Sequence, residues 1–175
     1  LRYCGIGKSG FEAAVAGAQG RRRWWEYNIT APFIKMLPTN MAAGIGLAQL
    51  ARIDELQARR ESIWRHYQGE FGRVGWITTP TETSEGDRHS YFTYCIRVPK
   101  RDELAHFLLE NKVYTTLRYH PLHMNPLYGQ TQVRLPHCET LNEDALSIPL
   151  HPRLSDDDVN RIVGLLKQFG TTHSL

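Results

Sequence analysis

Residues 39–71 read TNMAAGIGLAQLARIDELQARRESIWRHYQGEF, and this stretch decides the fold of the chain. Thr39 or Asn40, directly after Pro38, can cap a helix by accepting a hydrogen bond from an unpaired N–H of the first turn. Apolar side chains then recur mostly three, four or seven residues apart, which is the spacing of one helix face. They are Ile45, Ala48, Ile53, Leu56, Ile63, Tyr67 and Phe71. We therefore predict one long, continuous helix from this cap to about Phe71.

The rest of the chain predicts a small sheet covered by helices. The clearest strand is 90–98, because it alternates and is rich in aromatic and β-branched residues. Further strands are predicted over 76–79, 113–119 and 145–149. Helices are predicted over 101–111 and from Ser155 onward, where three aspartates suit the positive end of the helix dipole. Because helices alternate with short strands, the chain falls in the α/β or α+β class.

The composition sets the broad class of protein. The 175 residues suffice for one domain with a sizeable core. The proportions of 41% hydrophobic and 22% charged residues are those of a globular protein, not of a disordered or fibrous one. The net charge of +3 is not concentrated, since the arginine run 21–23 is offset by aspartates at 156–158. We therefore expect no nucleic-acid partner. No stretch approaches the ~18 apolar residues of a membrane helix, so we expect no membrane partner either.

The cysteines and histidines do not predict a metal site. Cys4, Cys95 and Cys138 lie far apart and lack the spacing of metal-binding motifs. Such cysteines fit reduced thiols in a cytoplasmic protein. His120 and His123 are three residues apart, but a third ligand at a recognisable spacing is missing, so we expect no zinc site.

Three segments in series carry a resemblance to a known family. The first runs from Trp24-Trp25-Glu26-Tyr27 through Ala31-Pro32 and Lys35 into the helix start at 39–50. The second is Arg118-Tyr119-His120-Pro121-Leu122-His123, and the third is the run LSIPLHP at 146–152. In this order, the segments resemble the DegT/StrS family, whose members use pyridoxal phosphate (PLP) to aminate keto-sugars carried on nucleotides. The similarity extends over residues 1–170.

The resemblance implies a fold and a domain organisation. The chain would resemble the C-terminal domain of fold-type I PLP-dependent transferases. Residues 1–38 would be an extended connecting segment that belongs with a missing large domain. Residues 39–175 would be the small domain with its leading helix. In the family, the lysine that holds PLP as a Schiff base lies in the large domain, and no segment here resembles that region. We therefore expect no catalytic residue in this chain, and no PLP bound by this chain alone.

The resemblance also implies roles for four residues. Lys35 matches the position where relatives place an asparagine or lysine that reaches the cofactor phosphate of the neighbouring subunit. Arg118 stands where many relatives carry a histidine facing the sugar, and a guanidinium there can bind a diphosphate or carboxylate with two hydrogen bonds. Tyr119 and His123 belong to the same substrate segment. The alternatives are a solvated loop lysine for Lys35, an edge-strand arginine in water for Arg118, and a turn residue bonded to backbone for His123.

Two functions follow from these observations. The first is the C-terminal domain of an aminotransferase that moves an amino group from glutamate onto a keto-sugar nucleotide, with the large domain and a second subunit as partners. The second is a free-standing, non-catalytic interaction domain derived from that family. Phe33, Leu37 and Pro38 depart from the family pattern around Lys35, which favours the second function. In either case, we expect exposed apolar surface and self-association.

Overall fold

The structure is a computed structural model that describes residues 38–117, 119–128 and 133–175. The chain divides into two compact units, Leu1–Ala51 and Arg52–Leu175. In the first unit, the described part forms helix α1 (Asn40–Leu50). Its cap is the predicted one, because the Thr39 hydroxyl accepts a hydrogen bond from the N–H of Ala42 at 3.1 Å.

The single long helix predicted over 39–71 is wrong in its continuity. Helix α1 ends at Leu50, and a second helix, α2, begins the second unit at Ile53–Phe71. Arg52 leaves the helical region with φ −114° and ψ 7°. The acidic residues Asp54 and Glu55 then occupy the first turn of α2, where negative charge is favoured. The Arg52 guanidinium pairs with Glu55 at 3.1 Å. These charges favour a new helix start, which the apolar spacing alone does not reveal.

The second unit contains two strands and further helices. In chain order, they are β1 (Tyr94–Arg97), α3 (Arg101–Glu110), a 3₁₀ turn (Leu122–Met124), α4 (Pro136–Asp144), β2 (Ala145–Ile148) and α5 (Asp156–Thr172). The helix predicted over 101–111 and the helix predicted from Ser155 are confirmed. Ser155 caps α5 through a capping box with Asp158. Helix α4 is an element that the sequence patterns did not predict.

The sheet is smaller than the four predicted strands. β1 and β2 are antiparallel, with Tyr94 opposite Ile148 and Arg97 opposite Ala145. The predicted strand at 145–149 is thus confirmed, whereas the one at 90–98 is shortened, because Tyr91 has a positive φ of 46° that interrupts extended backbone. Among their described residues, the predicted strands at 76–79 and 113–119 each form a single bridge, Thr78 to Arg97 and Thr116 to Ser147.

Helices and sheet enclose one hydrophobic core within the second unit. Helix α3 packs on α5 and β2, and α2 packs on α5. The largest fully buried side chains are Trp64, Tyr67, Tyr94, Phe71, Phe169, Ile63, Ile96, Leu104, Leu108 and Leu166. This arrangement of helices against a small antiparallel sheet confirms the predicted mixed α and β class.

Candidate functional site

The predicted substrate segment is a loop anchored to the core at its beginning. The N–H of Val113 donates to the Leu108 carbonyl at 2.8 Å, which ties the loop to the end of α3. Thr116 then exchanges two backbone hydrogen bonds with Ser147 of β2, at 3.1 and 2.8 Å. Beyond this bridge the chain reaches the 3₁₀ turn Leu122–Met124. The beginning of the loop is therefore held by the sheet, through Thr116.

The structure describes two of the four predicted site residues, and these two differ in their exposure to solvent. Tyr119 is 77% exposed. His123 lies only a few residues further on, yet its side chain is 12% exposed. Lys35 and Arg118 lie outside the described residues, so their predicted roles stay predictions. Of the four, the structure thus describes one residue that faces solvent and one that is nearly enclosed.

His123 contacts a carboxylate rather than the backbone. Its Nε2 lies 3.2 Å from Oε1 of Glu139 on α4. The neighbouring His120 is exposed, and its Nδ1 lies 3.1 Å from Oδ1 of Asn142 on the same helix. The two histidines therefore bind separate partners along α4. Among the described residues, no cluster of histidine, cysteine, aspartate and glutamate side chains is suited to a metal ion.

Glu139, the partner of His123, also accepts hydrogen bonds from two other groups. Its carboxylate accepts hydrogen bonds from Arg134, whose Nη2 lies at 2.7 Å, and from the backbone N–H of Leu135 at 2.9 Å. Leu135 is the N-cap of α4 and its apolar side chain cannot satisfy the helix start, so the Glu139 carboxylate takes this role. The Arg134 guanidinium, followed by the Leu135 N–H, lowers the pKa of Glu139 from its ordinary value of 4.5 to about 2.

This pKa shift predicts a pH-dependent contribution to stability. The pKa of Glu139 is lower in the folded chain, so its contribution is fully present above about pH 4.5 and is lost as the pH falls through about 2. Glu139→Gln removes the carboxylate. We therefore expect its melting temperature to lie below that of the wild type at pH 7, and the two to converge between pH 4.5 and 2. Circular dichroism melts across this range measure the difference.

The control for this experiment is Glu143→Gln on the same helix. The Glu143 carboxylate is exposed and accepts a hydrogen bond from the Asn142 amide at 2.8 Å. We expect the melting temperature of this variant to stay closer to that of the wild type throughout. A Glu139→Gln deficit of constant size from pH 7 to pH 2 would show that the ionised carboxylate is not the stabilising species.

Sequence reasoning missed both Glu139 and its helix. Pro136 stands at the first turn of α4, and proline at that position is a recognised start signal. The signal was available, but residues 136–144 lack the apolar stripe that normally accompanies a helix. No sequence feature indicates that Glu139 meets a histidine 16 residues earlier.

A separate cleft of about 580 Å³ opens in the second unit. Its lining includes three cationic residues, Arg60, Lys112 and Arg161, beside apolar and hydroxyl side chains. Two of these cations already have partners. Arg60 donates to the Gln57 side chain at 2.9 Å, and Arg161 donates to the Asn111 carbonyl. Across the described ranges, the Lys112 ammonium has no hydrogen bond or ion pair.

The lysines in the described part of the chain lie at the surface. A lysine that reacts with PLP is activated by desolvation or by a neighbouring cation. Lys100 and Lys167 instead lie at the surface, with their ammonium groups 3.7 Å from Glu103 and 2.5 Å from Glu70. Lys112 is also exposed. The lysines in the described part of the chain therefore lack the environment of a Schiff-base lysine.

Among the helices that the structure describes, none has the length and apolarity to cross a membrane.

Solved structures with this fold are aminotransferases. The aminotransferase TlmJ from Streptoalloteichus hindustanus is 35% identical with a TM-score of 0.81, and the match covers 89% of this chain and 42% of that one. Spr1654 from Streptococcus pneumoniae in its PMP form is 26% identical with a TM-score of 0.82, covering 97% of this chain and 43% of that one.

Two curated relatives also match most of this chain and a minor part of their own length. The spore coat polysaccharide biosynthesis protein SpsC of Bacillus subtilis (strain 168) is 32% identical over 83% of this chain and 40% of its own length. A dTDP-4-dehydro-2,3,6-trideoxy-D-glucose 4-aminotransferase of Saccharopolyspora spinosa is 30% identical over 93% of this chain and 42% of its own length. This chain thus spans about two fifths of the length of these relatives.

Fold and relatives together assign this chain to one family. Residues 12–167 match the family model described as the DegT/DnrJ/EryC1/StrS aminotransferase family. The chain belongs to this family.

Proposed function

We propose that this chain is the C-terminal domain of a cytoplasmic, PLP-dependent aminotransferase that acts on a keto-sugar nucleotide with glutamate as amino donor. The observation that carries the proposal is the family match over residues 12–167. It is supported by a relative whose name states the amination of a keto-sugar nucleotide. The shared region corresponds to only 40–42% of the relatives' length, which leaves room for a large domain.

In this proposal the covalent chemistry belongs to the large domain. PLP supplies an electron sink for the transfer of the amino group, and a protein positions the substrate against it. The described lysines Lys100, Lys112 and Lys167 are exposed, which supports a Schiff-base lysine outside the described part of this chain. The contribution of this chain is then to bind and orient the sugar nucleotide and to complete the walls of the site.

The loop that follows Thr116 is the part of this chain that we assign to substrate binding. Tyr119 is exposed and carries both an apolar ring and a hydroxyl, which suits contact with a sugar or a base. Arg118 is proposed to bind the diphosphate, and His123 to bind the sugar. Lys35 is proposed to reach the cofactor phosphate of the neighbouring subunit. We keep the domain boundaries of the sequence interpretation, with residues 1–38 belonging to the large domain and 39–175 to the small one.

Helix α1 supports the existence of partner surfaces. Its large apolar side chains are exposed, none of its residues is buried, and apolar residues occur on all sides. The exposed side chains are Met41, Ile45, Leu47 and Leu50. A helix that is apolar all round is normally buried in a larger protein, and exposed apolar patches promote association. We therefore propose that α1 packs against the large domain and a second subunit of the parent enzyme.

The proposal is tested on the complete reading frame. We expect the genomic sequence upstream of Leu1 to be open and to encode a strand followed by an S-x-x-K segment. We expect the full product to transfer the amino group of glutamate to a keto-sugar nucleotide, which mass spectrometry of the sugar detects. A start codon directly before Leu1, with no amination by the product, would instead support the free-standing interaction domain.

A further inference from the structure

We propose that Glu139 is a positioning residue that holds the His123 ring by Nε2, so that Nδ1 accepts a hydrogen bond from a hydroxyl of the bound sugar. This inference rests on the proposed function, because it needs His123 to face the substrate. Glu139 of α4 then acts on the substrate through His123, and Nδ1 is the ring nitrogen that binds the sugar hydroxyl.

The geometry of the contact fixes the role of each ring nitrogen. A carboxylate only accepts hydrogen bonds, so Nε2 must carry the proton that lies between it and Oε1 of Glu139 at 3.2 Å. In the neutral ring, Nδ1 then keeps its lone pair and acts as an acceptor. Among the described residues, Nδ1 has no hydrogen-bond partner. The remaining hydrogen-bonding capacity of His123 is therefore that of an acceptor, which suits an O–H donor.

The carboxylate itself accepts hydrogen bonds from two further groups, the Arg134 guanidinium and the Leu135 N–H. Arg134 donates to it through Nε at 3.0 Å and Nη2 at 2.7 Å, and the backbone N–H of Leu135 donates at 2.9 Å. The arginine compensates the charge of the carboxylate, and the backbone contact fixes it to the first turn of α4. Because the side chains of Glu139 and His123 are only 19% and 12% exposed, water competes little for their contact.

The position of His123 in the chain agrees with this role. Its 3₁₀ turn is closed by the N–H of Met124 donating to the Pro121 carbonyl at 3.0 Å. The turn carries the ring from the exposed loop of Tyr119 back toward α4. Without Glu139, nothing among the described contacts of the ring would select one orientation of the imidazole. With it, Nε2 is bonded to Glu139 and Nδ1 keeps its capacity to accept a hydrogen bond.

The first test observes the ring in this chain. In ¹⁵N-labelled protein, with the His123 signals assigned through a His123→Gln variant, we expect a resolved, slowly exchanging Nε2–H and an unprotonated Nδ1. In Glu139→Ala, we expect that N–H signal to disappear through exchange with water. The control Glu143→Ala should retain it, and the backbone spectrum shows whether each variant is folded. A folded Glu139→Ala variant that retains the Nε2–H signal would overturn the positioning role.

The second test uses the complete aminotransferase and a double-mutant cycle. We expect Glu139→Ala to lower kcat/KM for the sugar nucleotide by about tenfold, and to change it by less than about twofold when His123→Ala is already present, because the two residues act as one unit. Equal effects in both backgrounds would show that Glu139 only stabilises α4, and would refute the proposal. A protein without any amination refutes the proposed function instead, while the NMR result still decides the Glu139–His123 contact separately.

Discussion

Leu108→Ala will lower the free energy of unfolding by about 2–5 kcal/mol, the usual range for truncating a fully buried leucine. Leu108 lies on α3 and has no exposed surface. The substitution removes apolar contacts and leaves a cavity that the packed core fills only in part. Urea denaturation followed by far-ultraviolet circular dichroism measures the loss as a shift of the midpoint.

The adjacent leucine is a matched control for this experiment. Leu109 lies on the same helix but is 54% exposed. We expect Leu109→Ala to change the free energy of unfolding by no more than about 0.5 kcal/mol, since alanine is also the better helix former. If both variants lost the same stability, the face of α3 that packs on the core would be assigned wrongly.

The elements that the sequence predicted correctly are those with local signals. Ser155 and Asp158 lie three residues apart and cap α5 by bonding each other's backbone, so the start of α5 depends on neighbouring residues only. Thr39 also caps α1 locally, by accepting a hydrogen bond from the N–H of Ala42 three residues later. Such signals are visible in a single sequence because no distant partner is required.

The strands were less predictable because their extent depends on partners. Residues 113–119 have strand-like composition, yet among the described residues of this stretch only Thr116 forms a bridge, to Ser147 of β2. The break between α1 and α2 was missed for a different reason. One residue, Arg52, leaves the helical dihedral angles without disturbing the apolar spacing on either side of it.

For the candidate site, the sequence predicted the segment but not its contacts. His123 was named because of its motif, and the structure adds that its ring meets a carboxylate of α4. Glu139 could not be found from sequence, because nothing local connects it to a residue 16 positions earlier. The resemblance identifies which side chains belong to the substrate segment, whereas the packing of α4 determines how one of them is oriented.

The isolated chain should neither react with PLP at one specific lysine nor transaminate. The reaction needs a lysine whose ammonium loses its proton readily, which requires a desolvated or strongly electropositive environment. Lys100 and Lys167 are instead exposed and pair with surface carboxylates. We therefore expect only weak labelling, spread over several lysines, after mixing with PLP and reduction with borohydride. Peptide mapping by mass spectrometry locates the adducts.

Lys112 provides the sharpest control for this prediction, because it lines the 580 Å³ cleft and its ammonium has no partner in the described part of the chain. If the cleft selected PLP, Lys112→Arg would abolish the labelling, since arginine preserves the charge but forms no Schiff base. We expect the variant to lose only its own share of the weak labelling. Stoichiometric labelling of one lysine, together with glutamate-dependent amination of a keto-sugar nucleotide, would place the catalytic centre within this chain and overturn the assignment to a large domain.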